Sequence, residues 1–246
     1  MEWRQRNGVR WLEAELLGAR AAFSSRVGGV SDDPYSSLNV AVLTGDRIED
    51  VRENRRRLTA VLDLDPDAVL IGRQVHGAEI ARHDAAPVPN GFAHPGPDLA
   101  PVDGQVTDSP GLAPLVTVAD CLPVAVAGPA GVAMLHCGWR GLAAGIVARG
   151  VEEVGATAAA IGPGIGPCCY EVGPEVLAAF EDLGEGISDG RMLDLRAVTR
   201  RLLERAGVDS VVASELCTRC NPDLFFSHRR DGERTGRQAG VAWKEA

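Results

Sequence analysis

Three side chains that bind transition metals in proteins stand at the ends of apolar segments of this 246-residue chain. His76 follows AVLIGRQV, Cys121 follows VTVAD within the stretch VTVADCLPVAV, and His136 follows VAML. Two imidazoles and one thiolate, with a fourth position left for water or substrate, form a donor set typical of catalytic zinc. His76, Cys121 and His136 are therefore candidate metal ligands.

The same residues also have ordinary structural explanations. A histidine at the end of a strand is more often structural than a ligand, and a lone buried cysteine usually fills apolar space. Asp120 favours the metal, because a carboxylate in an apolar run costs free energy unless it is paired or lies near a cation. It would contact the ion directly or bond to a ligating histidine.

Other clusters allow binding chemistry without requiring it. Arg140 in GWRG (138–141) precedes a helical pattern, an arrangement that suits an anion. Arg26 and Asn39 lie in a Gly- and Ser-rich loop that suits a sugar or phosphate, and His228 is a further candidate for the anion. The CTRC sequence (217–220) lacks a spaced second pair, since Cys168 and Cys169 are adjacent, so we expect structural thiols.

The elements that position these residues alternate between strand and helix patterns. GPAG separates two apolar runs, which predicts that 123–127 pairs with 132–136 in a hairpin. The expected class is α/β or α+β in one domain, 1–246. Strands are predicted on both sides of Gly18 in 9–26 and over 68–75, 77–84, 113–120, 122–127, 132–136, 210–217 and 224–230. Two further strands are predicted to begin at 157 and at 236. Helices are predicted from Asp46, over 142–155, and near 174–183 and 195–206, with loops over 26–41 and 84–101.

Bulk properties exclude several classes of function. The net charge of −9 and pI near 5.1 argue against general nucleic-acid binding. No apolar run reaches the length of a membrane span, and MEWRQRNGVRW lacks the apolar core of a secretory signal, so we expect a cytoplasmic protein. Six cysteines are too few for a disulfide scaffold in a chain of this length. We also expect a monomer.

Taken together, the motifs resemble the YfiH-type family, whose members have been called laccase-like polyphenol oxidases, peptidoglycan editing factors and zinc-dependent purine nucleoside phosphorylases. The resemblance covers about residues 20 to 243. It rests on FSSRVGGVS, PYSSLNV, VRENRRRL, QVHG, VADCLPV, HCGWRG, IGPGIGPCCYEVG, CTRCNPDLFFSHRRDG and GRQAG.

The resemblance implies a four-layer α/β/β/α sandwich like that of the cytotoxic-necrotizing-factor-type cysteine hydrolases. It implies that His76, Cys121 and His136 bind catalytic zinc, with copper as the alternative metal. It also implies phosphorolysis of adenosine, inosine, guanosine and methylthioadenosine to the base and ribose 1-phosphate, and some deamination of adenosine. In these reactions Asp120 is our candidate proton carrier, and Arg140, Arg26 or His228 would hold phosphate.

The chain departs from the family pattern at three places. Cys137 stands where the family commonly has alanine, which makes it a possible spare ligand. His228 stands where the family often has tyrosine, and the segment before VDGQVT (102–107) is long and rich in proline. These departures affect the rim of the expected pocket and leave the three candidate ligands in place.

Three other classes of function compete with the phosphorylase. In a cysteine amidase that edits cell-wall precursors, Cys121 would be the nucleophile and a histidine its base. A copper oxidase needs several copper ions, for which five histidines are few. A non-catalytic binding module would need an exposed apolar stripe, which the sequence does not offer.

Overall fold

Two six-stranded sheets dominate the computed structural model, which describes residues 1–96 and 99–245. In the first sheet the strand order is β1-β2-β3-β14-β7-β4, and in the second it is β13-β10-β8-β9-β6-β5. The strands are β1 (Glu2–Arg6), β2 (Val9–Leu16), β3 (Ala19–Ser24), β4 (Val69–Leu70), β5 (Ile80–Arg82), β6 (Gly104–Thr107), β7 (Ala113–Val118), β8 (Leu122–Gly128), β9 (Gly131–Cys137), β10 (Ala158–Ile161), β11 (Ser188–Asp189), β12 (Met192–Leu193), β13 (Ser210–Ala213) and β14 (Gln238–Lys244).

Six α-helices and two short 3₁₀ turns accompany the sheets in the described part of the chain. The helices are α1 (Ile48–Leu62), α2 (Trp139–Ala143), α3 (Ile146–Val154), α4 (Pro174–Ala178), α5 (Leu195–Arg205) and α6 (His228–Asp231). The 3₁₀ turns are Pro66–Ala68 and Glu181–Leu183. The mixed α+β class is confirmed. None of the described helices has the length and apolar character that crossing a membrane requires.

The apolar side chains form three buried clusters. One lies between the sheets and joins Phe23 and Val116 of the first sheet to Met134 of the second. In the second cluster, Leu58 of α1 packs on the first sheet. In the third, Val147 of α3 packs on the second sheet together with residues of α5. Because their neighbours cover both faces, β8 and β9 are apolar along almost their whole length.

The central hairpin has the predicted register. Pro123 pairs with His136 and Ala127 with Val132, so the prediction from the GPAG turn is confirmed. The stretch 116–126, however, is not one strand. The chain leaves the first sheet after Val118 and enters the second at Leu122, and Asp120 makes this crossing with a left-handed φ of +91°. The polar pair Asp120–Cys121 therefore lies at the seam between the sheets.

Several predicted elements differ from the structure. The strand predicted over 68–75 ends at Leu70, because the following residues turn into the loop that carries His76. The strand predicted over 224–230 is wrong, since Leu224 ends a turn, Phe225 and Phe226 are irregular and Ser227 caps α6. The helix predicted over 142–155 is divided at Gly145, whose φ is +89°. Strand β1 was not predicted from its mostly charged residues.

Candidate metal centre

The three candidate ligands come together from three different segments. His76 lies in the loop between β4 and β5, Cys121 lies at the seam between the sheets, and His136 is the penultimate residue of β9. Their ligand atoms all lie within 4.8 Å of one another, and the two imidazole rings meet edge to face with centroids 4.9 Å apart. Ligand atoms this close together could share one zinc ion, which binds nitrogen and sulfur at ~2.0–2.3 Å.

Asp103, immediately before β6, holds two of these ligands in place. It is fully buried, and its Oδ1 accepts a hydrogen bond from His136 Nδ1 at 2.7 Å and another from the His76 N–H at 2.9 Å. Its Oδ2 accepts from the N–H groups of Val75 and Gly77 at 3.0 and 2.8 Å. Because Nδ1 of His136 is engaged, Nε2 is the nitrogen left for a metal.

Hydrogen bonds and charge shift the proton affinities within this group. Burial would raise the pKa of the Cys121 thiol, but the charge of His136 and hydrogen bonds from both histidines lower it to about 6. Burial would lower the pKa of His136, but the Cys121 thiolate and Asp103 raise it to about 9. The site therefore supplies a thiolate near neutral pH, which is the form that binds a metal.

The candidate ligands pack closely against Gly138 on one side and face solvent on the other. A Cβ added to Gly138 would lie 3.0 Å from Cys121 Sγ and 3.3 Å from His76 Cδ2, so glycine leaves the space that the ligands occupy. The His76 side chain is exposed and Cys121 is partly exposed, whereas His136 is buried. The open side would leave a coordination position for water or substrate, as a catalytic metal needs.

A cavity of about 440 Å³ opens onto the three ligands. This volume lies within the range of small-molecule sites. Of the described residues, apolar ones such as Leu43 and Ile71 form part of its wall, and Tyr170 and His228 also line it. The arginines that line it are Arg55, Arg73, Arg229 and Arg237, and Asp120 is the carboxylate among its lining residues. The cavity is thus locally basic although the chain is acidic, and this suits an anionic ligand.

Asp120 lies on the cavity wall but does not bond to a ligating histidine. Its Oδ1 accepts from the Thr218 hydroxyl at 2.5 Å, and its Oδ2 accepts from the Arg229 N–H at 2.6 Å. The carboxylate that bonds to a ligating histidine is Asp103, which accepts from His136, and not Asp120. Asp103 could have been found from the sequence by the same reasoning, because it too is a carboxylate entering an apolar strand pattern.

The predicted substrate-binding residues separate into two groups. His228 lines the cavity, whereas Asn39 is fully buried and its amide bonds to Thr44, Asp46 and the Arg237 N–H. Asn39 therefore shapes the cavity through Arg237, because its own polar atoms are already used. Arg26 is likewise occupied, since its guanidinium donates to the carbonyls of Ser36 and Pro222 and stacks on Phe226.

Arg140 and Cys137 also differ from the expectation. Arg140 is exposed, stacks 4.5 Å over the ring of Trp139, and is absent from the described lining of the cavity. Helix α2 has only five residues, which is too short for a useful helix dipole. Cys137 is fully buried in the apolar cluster on the other face of β9, and burial raises the pKa of its thiol, so it is not a spare ligand.

Comparisons with known proteins agree with this architecture. Residues 20–245 match the family described as multi-copper polyphenol oxidoreductase laccase. The chain is 36% identical to purine nucleoside phosphorylase YlmD of Geobacillus stearothermophilus, over 95% of this chain and 94% of the relative. It is 40% identical to a purine nucleoside phosphorylase of Streptomyces coelicolor, over 92% of this chain and 96% of the relative.

Solved structures support the same relationship. The crystal structure of YlmD from Geobacillus stearothermophilus superposes with a TM-score of 0.89 at 34% identity, covering 99% of both chains. The structure of a YfiH protein from Bacillus licheniformis superposes with a TM-score of 0.87 at 32% identity, also covering 99% of both chains. The fold and site thus define a laccase-like α+β protein with a candidate metal centre. The chain belongs to the YfiH-type family, and its resemblance to that family is confirmed.

Replacement of the buried carboxylate tests how the centre is held. In the Asp103→Asn variant an amide NH₂ must face N–H donors where a carboxylate oxygen accepted them. We expect the affinity for zinc to fall by about 10- to 100-fold, measured by competition with a chromogenic chelator. Asp108→Asn, at an exposed position four residues after the start of β6, is the matched control. Equal zinc affinity in Asp103→Asn and wild type would refute this role of Asp103.

Proposed function

We propose that this protein is a zinc-dependent purine nucleoside phosphorylase that also deaminates adenosine. Its substrates would be adenosine, inosine, guanosine and methylthioadenosine, each of which reacts with phosphate to give the free base and ribose 1-phosphate. The observation that carries the proposal is the thiolate–imidazole centre of His76, Cys121 and His136 at a cavity lined by four described arginines. The names of the relatives support the same activity.

The donor set suits one transition-metal ion. Two imidazoles and one thiolate match three-ligand catalytic zinc sites. When bound, zinc would supply a Lewis acid facing the cavity. Copper is the alternative suggested by the family description. Metal analysis of the purified protein would show which of the two ions it contains.

The cavity residues would divide the substrate between them. The purine needs an apolar or aromatic surface, which Leu43, Ile71 and Tyr170 offer. Burial, with the nearby Cys121 thiolate, raises the pKa of Tyr170 to about 12, so its phenol stays protonated and can donate a hydrogen bond. Arg229 and Arg237 would bind phosphate, because both line the cavity, the Arg229 guanidinium beside Tyr170 and Arg237 within the electrostatic influence of Asp120.

Asp120 remains our candidate proton carrier in deamination, which consumes water and releases ammonia. Its carboxylate is held by Thr218 and Arg229 and lies 8% exposed on the cavity wall. Arg140 also remains a catalytic candidate. Its guanidinium lies over the ring of Trp139, outside the described cavity lining, so it would have to act from there. Among the predicted residues, His228 is the best placed to contact substrate.

We also infer a four-layer α/β/β/α order and a single domain over 1–246. The support is the apolar cluster between the sheets and the packing of α1 and α3 on different sheets. We further propose that the protein is a cytoplasmic monomer with no nucleic-acid or membrane partner, on the grounds of composition and charge.

The central test is turnover of adenosine with and without phosphate, with products separated by chromatography and metal measured on the same sample. We expect adenine and ribose 1-phosphate only when phosphate is present, some inosine in either case, and about one catalytic zinc per chain. His76→Ala should abolish both activities while the circular dichroism stays unchanged, because its side chain is exposed. Phosphorolysis by metal-free protein would refute the proposal.

The arginines give a second, more specific test. In Arg229→Gln one charged donor is lost from the cavity, so we expect the KM for phosphate to rise by about 10-fold or more, with a smaller change for adenosine. Arg52→Gln, at an exposed position of α1 outside the cavity lining, is the control. A rise only in the KM for adenosine would move the phosphate to another part of the cavity.

One observation favours a second candidate, a cysteine amidase acting on peptidoglycan precursors. Cys121, His136 and Asp103 follow one another as nucleophile, base and orienting carboxylate, which is the arrangement of cysteine hydrolases. Zinc bound to Cys121 would block that chemistry, so the two candidates differ in the state of one thiol.

Alkylation measured at different pH values distinguishes these candidates. In metal-stripped protein the thiolate of Cys121 forms as pH rises through about 6, so its labelling by iodoacetamide should reach half its maximum there, well below the pH of an ordinary thiol. The zinc enzyme predicts strong protection once zinc is restored, read by peptide mass spectrometry with buried Cys137 as the internal control. Rapid labelling of protein that still holds its zinc would favour the amidase.

A further inference from the structure

Four cysteines outside the catalytic cavity converge at one point on the surface. Cys168 and Cys169 lie in the loop between β10 and α4, and Cys217 and Cys220 lie in the loop between β13 and α6. All four sulfur atoms lie within 4.8 Å of one another. The Cys220 sulfur is 3.5 Å from that of Cys168 and 3.3 Å from that of Cys169. The adjacent pair therefore supplies the second half of a four-thiol cluster, contrary to the expectation from spacing.

These distances are close to those of a tetrahedral metal site. Zinc binds thiolates at about 2.3 Å, which places the sulfur atoms of a tetrahedral site about 3.8 Å apart. Cys217 is buried, whereas Cys168 and Cys220 are exposed. An ion could thus enter from solvent and, once bound, would be enclosed by protein ligands with no open position.

Backbone N–H groups favour the thiolate form of one of the four cysteines, Cys217. The N–H of Gly166 donates to Cys217 Sγ at 3.2 Å, and the N–H of Cys220 lies close enough to favour the thiolate. Burial raises the pKa of the Cys217 thiol, but these N–H groups lower it below its ordinary value. The N–H of Thr218 also donates to the carbonyl of Gly164 at 3.0 Å, which fixes the two loops to each other. Such N–H donors orient and stabilise metal-bound thiolates.

A buried cation lies beside the cluster. Arg196 is 9% exposed, and its Nε is a buried nitrogen without a hydrogen-bond partner among the described residues. A Cβ built on Gly166 would lie 3.2 Å from Arg196 Nη2 and 3.3 Å from Cys168 Sγ, so Gly166 separates the guanidinium from this sulfur by no more than about one side-chain atom. The guanidinium also lies 3.4 Å from Glu215 and 3.8 Å from Asp194. A zinc ion with four thiolates carries a net charge of about −2, and a neighbouring guanidinium would stabilise that charge.

We propose that Cys168, Cys169, Cys217 and Cys220 bind a structural zinc ion, distinct from the candidate catalytic metal. On binding, the thiols release the protons they still carry, and each thiolate donates one electron pair to the ion. No redox change is involved. With four protein ligands and no free position, this zinc stabilises structure and performs no chemistry.

The position of the cluster explains why such an ion would matter. The first loop carries Tyr170 to the cavity wall, and the second leads to His228 and Arg229. Thr218, between the two cysteines of CTRC, donates the hydrogen bond that holds Asp120. The zinc would therefore tie together two loops that build one side of the cavity.

The test counts metal in protein that lacks the other site. A Cys121→Ala variant removes the only thiolate of the catalytic centre, so the measurement does not depend on turnover. After dialysis against a weak chelator we expect about one zinc per chain in Cys121→Ala and close to none in Cys121→Ala/Cys220→Ser. Cys121→Ala/Cys137→Ala should keep its zinc, because Cys137 is a buried cysteine outside the cluster.

Cobalt gives a second readout that needs no cluster variant to fold. When Co²⁺ is added to metal-free Cys121→Ala, four thiolates should produce an intense sulfur-to-cobalt charge-transfer band and strong tetrahedral visible bands. The absence of both zinc and these bands would refute the site. It would also be refuted by a disulfide from Cys220 to Cys168 or Cys169, found by mass spectrometry in freshly prepared protein. Neither result would bear on phosphorolysis by the wild type.

Discussion

The candidate metal centre depends on one buried carboxylate. Asp103 accepts hydrogen bonds from three successive backbone N–H groups, those of residues 75–77, and from the imidazole of His136. Burial would raise its pKa, but the bond from His136 and the backbone donors lower it below the ordinary value. Four hydrogen bonds offset the cost of removing this charge from water. They hold His76 at a left-handed φ of +61° and orient the ring of His136.

The two-sheet architecture places the candidate metal centre beside the crossing between the sheets. The chain passes from the first sheet to the second between Val118 and Leu122, and Cys121 is the last residue of that crossing. His136 enters from β9, which pairs with β8 directly beyond the crossing, so the sheet register sets the distance between the two ligands. Loops from both sheets then supply the cavity wall. A net-negative protein can in this way present a locally basic cavity to an anion.

The two cysteine-containing clusters differ in their ligands, as candidate catalytic and structural metal sites would. At the cavity, one thiolate and two imidazoles leave a side open to solvent. At the surface loops, four sulfur atoms lie within 4.8 Å of one another, enough to supply every ligand of the proposed structural zinc. They are linked through Thr218 and Asp120, so the order of the surface loops bears directly on the shape of the cavity.

Much of the local structure could be read from the sequence. The hairpin register follows from a short turn between two continuous apolar runs, and the candidate ligands follow from residue type and family motif. Asp103 resembles Asp120 as a carboxylate entering an apolar pattern, but its partners, the 75–77 backbone and His136, are distant in sequence and only the fold identifies them. The burial of Asn39 could not be read from the sequence, because it depends on packing between the 26–41 loop and Arg237. By itself, then, the sequence determined the mixed α+β class, the central hairpin and the candidate metal ligands. Tertiary structure alone decided which polar groups are already satisfied and which thiols meet, because both depend on contacts between segments far apart in the chain.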